Sequence, residues 1–268
     1  MSRNFDLLQR LNVDVESEPL ADFMPADQSP TIHADPPKSA AFLDMGKHTL
    51  PRVDLHVTSN RAAQAETLKL VHGVFLSHGS TPRRAVVFAA IDPGNGCSQI
   101  CGLAARALAA SVRTPVCLVD ANFRNSHGSS SYNAKNFPGL ADALRSPGPI
   151  QDFMLCAGPH NLALLPRGVM TGESFSFLNS RSLKGRMEDL RSEFAYVLID
   201  APPMNSYADA VTLAQLADGI VLVLEAHSTR RESALKITEQ LRAAGIAVLG
   251  GVLNKRTFPI PETLYHIL

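Results

Sequence analysis

No stretch of this chain approaches the ~18 consecutive apolar residues that a membrane-spanning helix requires, and its first residues, MSRNFDLLQRLNVDVESE, lack the apolar centre of a secretory signal. The expectation is a cytoplasmic protein. A surplus of charge is missing too: 25 Lys and Arg stand against 25 Asp and Glu, and the pI is near 7.1. That balance removes the basic excess on which bulk nucleic-acid binding depends. Cysteine is scarce, with Cys97, Cys101, Cys117 and Cys156 and no CxxC pair among them. A reducing compartment argues against structural disulfides. Cys97 and Cys101 are four residues apart and can share a helix face, the arrangement of a metal or redox pair. No HExxH and no second close Cys/His pair joins them, so they read as small buried hydrophobes. None of the nine histidines is assigned to a metal. Apolar residues are plentiful at 45%, against 19% charged. The chain of 268 residues therefore has material for one sizeable core, with or without a tail.

The first 59 residues differ from the rest. Residues 1–60 hold six of the 18 prolines and nine acids against five bases, in broken text such as PADQSPTIHADPPKSA. No continuous helix or strand fits that composition, and the expectation is a mostly disordered tail. Within it NFDLLQRL can turn as a short amphipathic helix with Phe5, Leu8 and Leu11 together, either a frayed terminus or a docking peptide. From residue 60 to residue 256 helices and short apolar strands alternate. Helices are expected over Arg61–Leu76, Ser98–Ser111, Gly139–Leu144, Ser180–Glu193 and Thr229–Ala244. The last has a capping box of Thr229 with Glu232, and Gly245 as its stop. Strands are expected over Ala85–Ile91, Val116–Asp120, Leu162–Leu165 before Pro166, Tyr196–Asp200, Gly219–Glu225 and Val248–Asn254. Continuous apolar runs are the mark of strands covered on both faces, so the fold expected is a doubly wound α/β domain with a mainly parallel sheet. Ligands in such folds sit at the carboxyl ends of the strands.

Three of these ends carry chemistry. Residues 88–98 read FAAIDPGNGCS: a strand, a turn with Gly94 and Gly96, then Ser98 opening a helix. A phosphate loop needs these parts and also a lysine, whose place Cys97 takes. Backbone N–H groups and the helix dipole still attract an anion there, but the point charge that stabilises phosphoryl transfer is gone. The loop alone is as readily a chance glycine turn before a helix. VCLVDANFR and VLIDAPP, however, each end a strand in an acid, Asp120 and Asp200, where Mg²⁺ and its waters can be held beside phosphates. Either acid alone is as well explained as a cap. Together with the loop they point to a nucleotide-site ancestry.

On these segments the sequence resembles the bacterial tyrosine kinases (BY-kinases) of capsule and exopolysaccharide biosynthesis, within the MinD/ParA group of P-loop ATPases. The resemblance covers about residues 60–256. The family's PGEGKS loop is matched by Pro93-Gly94-Asn95-Gly96-Cys97-Ser98, its DADLR motif by Asp120-Ala121-Asn122-Phe123-Arg124, and its IIDTPP with a DA pair by Ile199-Asp200-Ala201-Pro202-Pro203 and Asp209-Ala210. PGLADAL, LLPRG, ADGIVLVLEAHSTRRE and LGGVLNK also look like family segments.

The resemblance implies a P-loop NTPase fold and a Mg-ATP site. Pro93, Gly94, Asn95, Gly96, Cys97, Ser98 and Asn254 would bind nucleotide, Ser98, Asp120 and Asp200 would bind Mg²⁺, and Asp120 takes the family's acid/base position. It also implies a membrane polysaccharide co-polymerase or export protein as partner, no nucleic acid, and homo-oligomers through Glu66, Lys69 and His72, an E-x-x-K-x-x-H version of the family's E-x-x-R-x-x-R. Such a triplet also occurs as a plain solvated helix face. Lysine lacks the bidentate fork of arginine, and histidine is largely neutral at pH 7. Tyr265 is the single tyrosine of the 257–268 tail, where the family carries an autophosphorylated cluster. Cys97 for lysine, Asn122 for aspartate and Asn95 for glutamate all fall on catalytic positions. They favour a catalytically impaired regulatory or structural partner in polysaccharide export. The alternatives are an active tyrosine autokinase or slow ATPase, with Arg124 or a neighbouring subunit's base replacing the lysine, and last a MinD/ParA-like positioning ATPase.

Overall fold

Four runs, apolar except for an acid at or near the carboxyl end of three of them, build the centre of the sheet. The computed structural model describes residues 50–55, 57, 60–77, 82–124, 132–158, 161–169 and 181–256. In chain order the strands are β1 (Ala85–Ala90), β2 (Val116–Asp120), β3 (Leu155–Cys156), β4 (Leu162–Leu165), β5 (Tyr196–Ala201), β6 (Ile220–Glu225) and β7 (Val248–Asn254). They form one sheet in the order β3-β4-β2-β5-β1-β6-β7, parallel throughout except for the β3–β4 pair. The helices are α1 (Arg61–Val71), α2 (Cys97–Ser111), α3 (Leu140–Arg145), α4 (Arg181–Glu193), α5 (Asp209–Gln215) and α6 (Arg231–Ala243). A π turn, His72–Leu76, prolongs α1, and a 3₁₀ turn, Ile150–Phe153, precedes β3.

The two-residue period of the strands divides the core in two. Ala85, Val87 and Ala89 of β1 face a layer built from α3, α4, α5 and α6, with Leu140, Leu183, Leu190, Leu213, Ile237 and Leu241. Val86, Phe88 and Ala90 face the other layer, where Val71 of α1 packs with Cys101, Ala105 and Leu108 of α2. Each fully buried Val, Leu or Phe contributes roughly 1.5–3 kcal/mol, so both faces are held firmly. The architecture is the doubly wound α/β arrangement expected, with the short antiparallel β3 at one edge.

Several local expectations are corrected. Residues 50–55 and 57, assigned to the tail from composition, join the fold: Arg52 bridges to Cys156, the Val53 amide donates to the Cys156 carbonyl at 2.9 Å, and Val53 and Leu55 are buried. Their alternating apolar side chains, not the local proline content, decide this. Thr229 does not cap α6. Its hydroxyl accepts the Glu225 amide at 2.9 Å, fastening the turn after β6, and α6 begins at Arg231 after Arg230 without a side-chain cap. Gly245 does end that helix region with φ of 71°. The segment NFDLLQRL, most of the acidic tail, and residues 257–268 with Tyr265 lie outside the described residues. No helix among the described residues is long and apolar enough to cross a membrane.

Candidate functional site

The order β2-β5-β1 places three strand ends side by side, each followed by a loop that opens on the same edge. A cavity of about 510 Å³ lies there, walled by the 92–99 loop and by Asn122, Arg124, Ala201, Pro203 and Tyr207. The loop after β1 turns on Gly94 and Gly96, whose φ angles of 85° and 86° suit glycine alone among ordinary residues. The Ile100 amide is the first to bond within α2, to the Gly96 carbonyl at 3.1 Å. The N-terminal end of α2, with its partial positive charge, therefore opens at the loop.

The loop is braced from behind. Asn95, only 1% exposed, accepts the Asp92 amide at 3.0 Å and donates to Glu225 at 3.2 Å. Asn254, at the end of β7, donates to the Asn95 carbonyl at 2.9 Å. A β-carbon on Gly96 would run into that Asn254 amide group. Lys255 pairs with Glu225 at 3.1 Å, and Asn205 donates to Asp92 at 2.6 Å. Asn254, expected to bind nucleotide, thus holds the loop backbone.

Cys97 opens α2 with its thiol buried and hydrogen-bonded to Asp200. Burial, then the charge of Asp200, push the thiol well above its ordinary range, so it stays protonated. Burial and Asp200 do the same to Cys101. Both are free, as small buried hydrophobes would be, and no cluster of three or more His, Cys, Asp or Glu forms among the described residues.

Asp120 and Asp200 are register partners on β2 and β5, and both are almost wholly buried. Burial and then the charge of Asp200 push Asp120 up to about 7, against the pull of Arg167 and the Asn122 amide. Burial raises Asp200 to about 6, while hydrogen bonds from Ser98, Tyr132 and Cys97 restrain it. Tyr132, also buried, puts its hydroxyl 3.0 Å from the Ser98 carbonyl and 3.1 Å from Asp200 Oδ2. Among the described residues Asp200 Oδ1 and Asn122 Oδ1 are buried with no hydrogen-bond partner. Hard oxygens of Ser98, Asp120 and Asp200, one of them an orphan acceptor, suit a Mg²⁺ ion that keeps waters and takes its remaining ligands from a phosphate.

Arg124 is the only Lys or Arg among the described residues that line the cavity. Asp209, the first residue of α5, holds it through Nε at 2.7 Å and Nη2 at 3.3 Å, and its guanidinium lies 4.9 Å from the Tyr207 ring centre. Arg167 donates to the Asn122 carbonyl at 3.4 Å. Glu66, Lys69 and His72 are exposed on and just after α1, away from the cavity wall, with Glu66 and Lys69 paired at 2.7 Å. The sequence names Arg124 as a stand-in for the lysine and Asp209 in the DA pair but not their pairing, and it does not single out Tyr132, Arg167 or Tyr207. LLPRG and the DA pair were the available signals for Arg167 and Asp209, whereas Tyr132 in SSSYNAK carried none.

No family model matches the chain. Over 139 residues, 52% of its length, it is 30% identical to the tyrosine-protein kinase CpsD of Streptococcus agalactiae, and it spans 61% of that kinase. It is 26% identical over 171 residues to the tyrosine-protein kinase YwqD of Bacillus subtilis, covering 64% of this chain and 72% of the relative. Among solved structures, the chimerical protein CapA2B2 superposes with a TM-score of 0.67 at 21% identity, over 81% of this chain and 99% of that one. The kinase domain of the Escherichia coli tyrosine kinase ETK gives 0.60 at 19% identity, over 66% and 71% of the two chains. MinD of Pyrococcus horikoshii, solved with Mg-ADP, gives 0.52 at 20% identity, over 69% and 77%. The cavity thus lies in a MinD/ParA-like P-loop NTPase fold, and the curated proteins to which the sequence is similar are BY-type tyrosine kinases.

Proposed function

We propose that this chain is a BY-kinase-like protein of capsule or exopolysaccharide biosynthesis and export with impaired phosphoryl transfer, acting as a regulatory or structural partner of a membrane polysaccharide co-polymerase or export protein. One observation carries the reading: the position of the loop's lysine holds Cys97, a protonated thiol turned to Asp200. The one cation of the cavity wall, Arg124, is already engaged by Asp209. Loss of a comparable charge contact on a transferring phosphoryl group costs about 10³-fold or more in rate.

Nucleotide binding itself has more support than turnover. The amides of residues 94–98 would cradle a phosphate, and Ser98, Asp120 and Asp200 would hold Mg²⁺. Bound there, Mg²⁺ would supply positive charge to offset that of the phosphates. Asp120 and Asp200 supply that donor set from two adjacent strands. The same donor set is what favours the second reading, an active autokinase or slow ATPase. On either reading the chain works at the cytoplasmic side of the membrane through its partner, and a homo-oligomer would form through Glu66, Lys69 and His72 on α1.

The test is autophosphorylation of the purified protein with Mg-ATP, beside Cys97→Lys. Wild type is expected to show no phosphotyrosine above background. Robust wild-type autophosphorylation would sink the impaired reading and leave the kinase.

A further inference from the structure

A phosphate site is defined by how many negative charges it can balance, and here the balance is unusual. The donors that face the cavity at the loop are amides, which carry only partial charge. Asp92 lines the wall, and Asp120 and Asp200 lie behind the loop. No lysine reaches the cavity among the described residues that line it. Lys255, the nearest lysine in sequence to the brace, is paired with Glu225. The single guanidinium of the wall is gripped in two-point fashion by a carboxylate, with side-chain exposures of 29% for Arg124 and 12% for Asp209. Such partly buried, bidentate pairs are far stronger than exposed surface pairs.

We infer that the Arg124–Asp209 pair sets the phosphate selectivity of this cavity, and that Asp209, by holding Arg124, makes the site favour a nucleoside diphosphate over the triphosphate. The inference rests on the cavity being the nucleotide site proposed above and deepens it. A diphosphate can end in the amide cradle. The added group of a triphosphate brings further negative charge towards Asp92 with no protein cation released to meet it, and the Mg²⁺ that accompanies the nucleotide is common to both ligands. Asp209 is accordingly a specificity residue that acts through Arg124 and touches no ligand. Arg124 contributes little to either ligand while Asp209 holds it.

Calorimetric titration of the full chain with Mg-ADP, Mg-ATP and Mg-pyrophosphate tests this. Wild type is expected to bind ADP about tenfold or more tightly than ATP, the size of one charge-assisted contact. Asp209→Asn, which keeps shape and removes the competing charge, is expected to tighten ATP about tenfold while moving ADP less than about threefold. Asp209→Asn combined with Arg124→Gln, which removes both charges together, should leave both affinities within about threefold of wild type. Should Asp209→Asn fail to fold, as seen by circular dichroism, Cys97→Lys is the second variant, and it should invert the ADP preference. Pyrophosphate binding that follows the same pattern would support phosphate charge as the discriminating feature. ATP bound as tightly as ADP by wild type, or a selective loss of ATP in the double variant, would overturn the inference. So would the absence of any binding at millimolar nucleotide, an outcome that leaves the impaired-partner reading standing. Autophosphorylation by wild type would instead remove that reading and leave the affinity ratio to be judged on its own.

Discussion

Asp120→Asn is expected to make the cation-free protein more stable at pH 8 and to change it little at pH 5. Asp120 is 1% exposed and its register partner on β5 is Asp200, 0% exposed. Burial and the neighbouring charge raise it from 3.8 to about 7. A raised acid holds its proton in the folded chain at pH values where the unfolded chain has released it. Stability contributed by the neutral form is therefore full below about pH 4 and lost as pH rises through about 7. Three units at about 1.4 kcal/mol each set an upper bound of about 4 kcal/mol on the cost of ionising Asp120 in place. Some of that is offset, because Arg167 loses an attractive partner. Asparagine retains an acceptor for the Asn122 amide, which donates to Asp120 at 3.2 Å, and removes the charge that opposes Asp200. A net gain of about 2 kcal/mol at pH 8 is reasonable, or ~4–8 °C in Tm for a chain of this size.

Tyr132 donates to Asp200 at 3.1 Å and helps hold that carboxylate charged, which keeps the repulsion on Asp120 in place as pH rises. The assay is urea unfolding of wild type and Asp120→Asn at pH 5, 6, 7 and 8, at fixed ionic strength with a chelator present. The variant-minus-wild-type difference should grow with pH. A difference that is flat across that range, or a variant less stable than wild type at pH 8, would refute the reasoning.

Gly96→Ala should cost about 1–3 kcal/mol, because alanine is strained at a φ of 86° and its β-carbon collides with Asn254. Urea midpoints should register the loss, and phosphate-ligand titrations should weaken with it. Asp218→Asn tests the opposite end of β1, where the carboxylate accepts the Arg84 and Ala85 amides at 2.7 and 2.8 Å and Arg191 at 2.8 Å. Against the upward pull of partial burial, those bonds draw Asp218 below the ordinary carboxylate range. Its stabilisation is present above the unfolded pKa and fades in acid. The variant should lose about 1–3 kcal/mol at pH 7 and much less below pH 4, read by unfolding at both.

What the sequence revealed follows from where its information is local. β1, β2, β5 and β6 are read directly because strands covered on both faces must be apolar at every position, and no other short element demands that. The 92–98 loop is read for a related reason, since two glycines and a following helix start are consecutive in the chain. Tyr132 and Arg167 stayed hidden because their roles depend on contacts across the sheet. Tyr132 reaches Asp200 across 68 positions, and no periodicity encodes that. Thr229 misled because a capping box and a turn fastener use the same hydroxyl, and the choice is made by the strand end it meets. Residues 50–55 and 57 misled because proline content was averaged over a window in which Val53 and Leu55 alone decide burial.

The loop also separates two properties that a phosphate site usually joins, its shape and its charge. Its shape is maintained by protein groups: Asn95 on Asp92 and Glu225, and Asn254 on the Asn95 carbonyl. None of these bonds involves position 97, so the turn stands without a lysine or a ligand to draw it closed. The charge, by contrast, is absent at Cys97 and committed elsewhere at Arg124. Cys97→Lys therefore changes one property with the other held fixed. If shape alone limited the site, that substitution would leave nucleotide affinity unchanged. If charge limits it, as Asp92 on the cavity wall and the held Arg124 require, ATP should gain more than ADP from the same single ammonium.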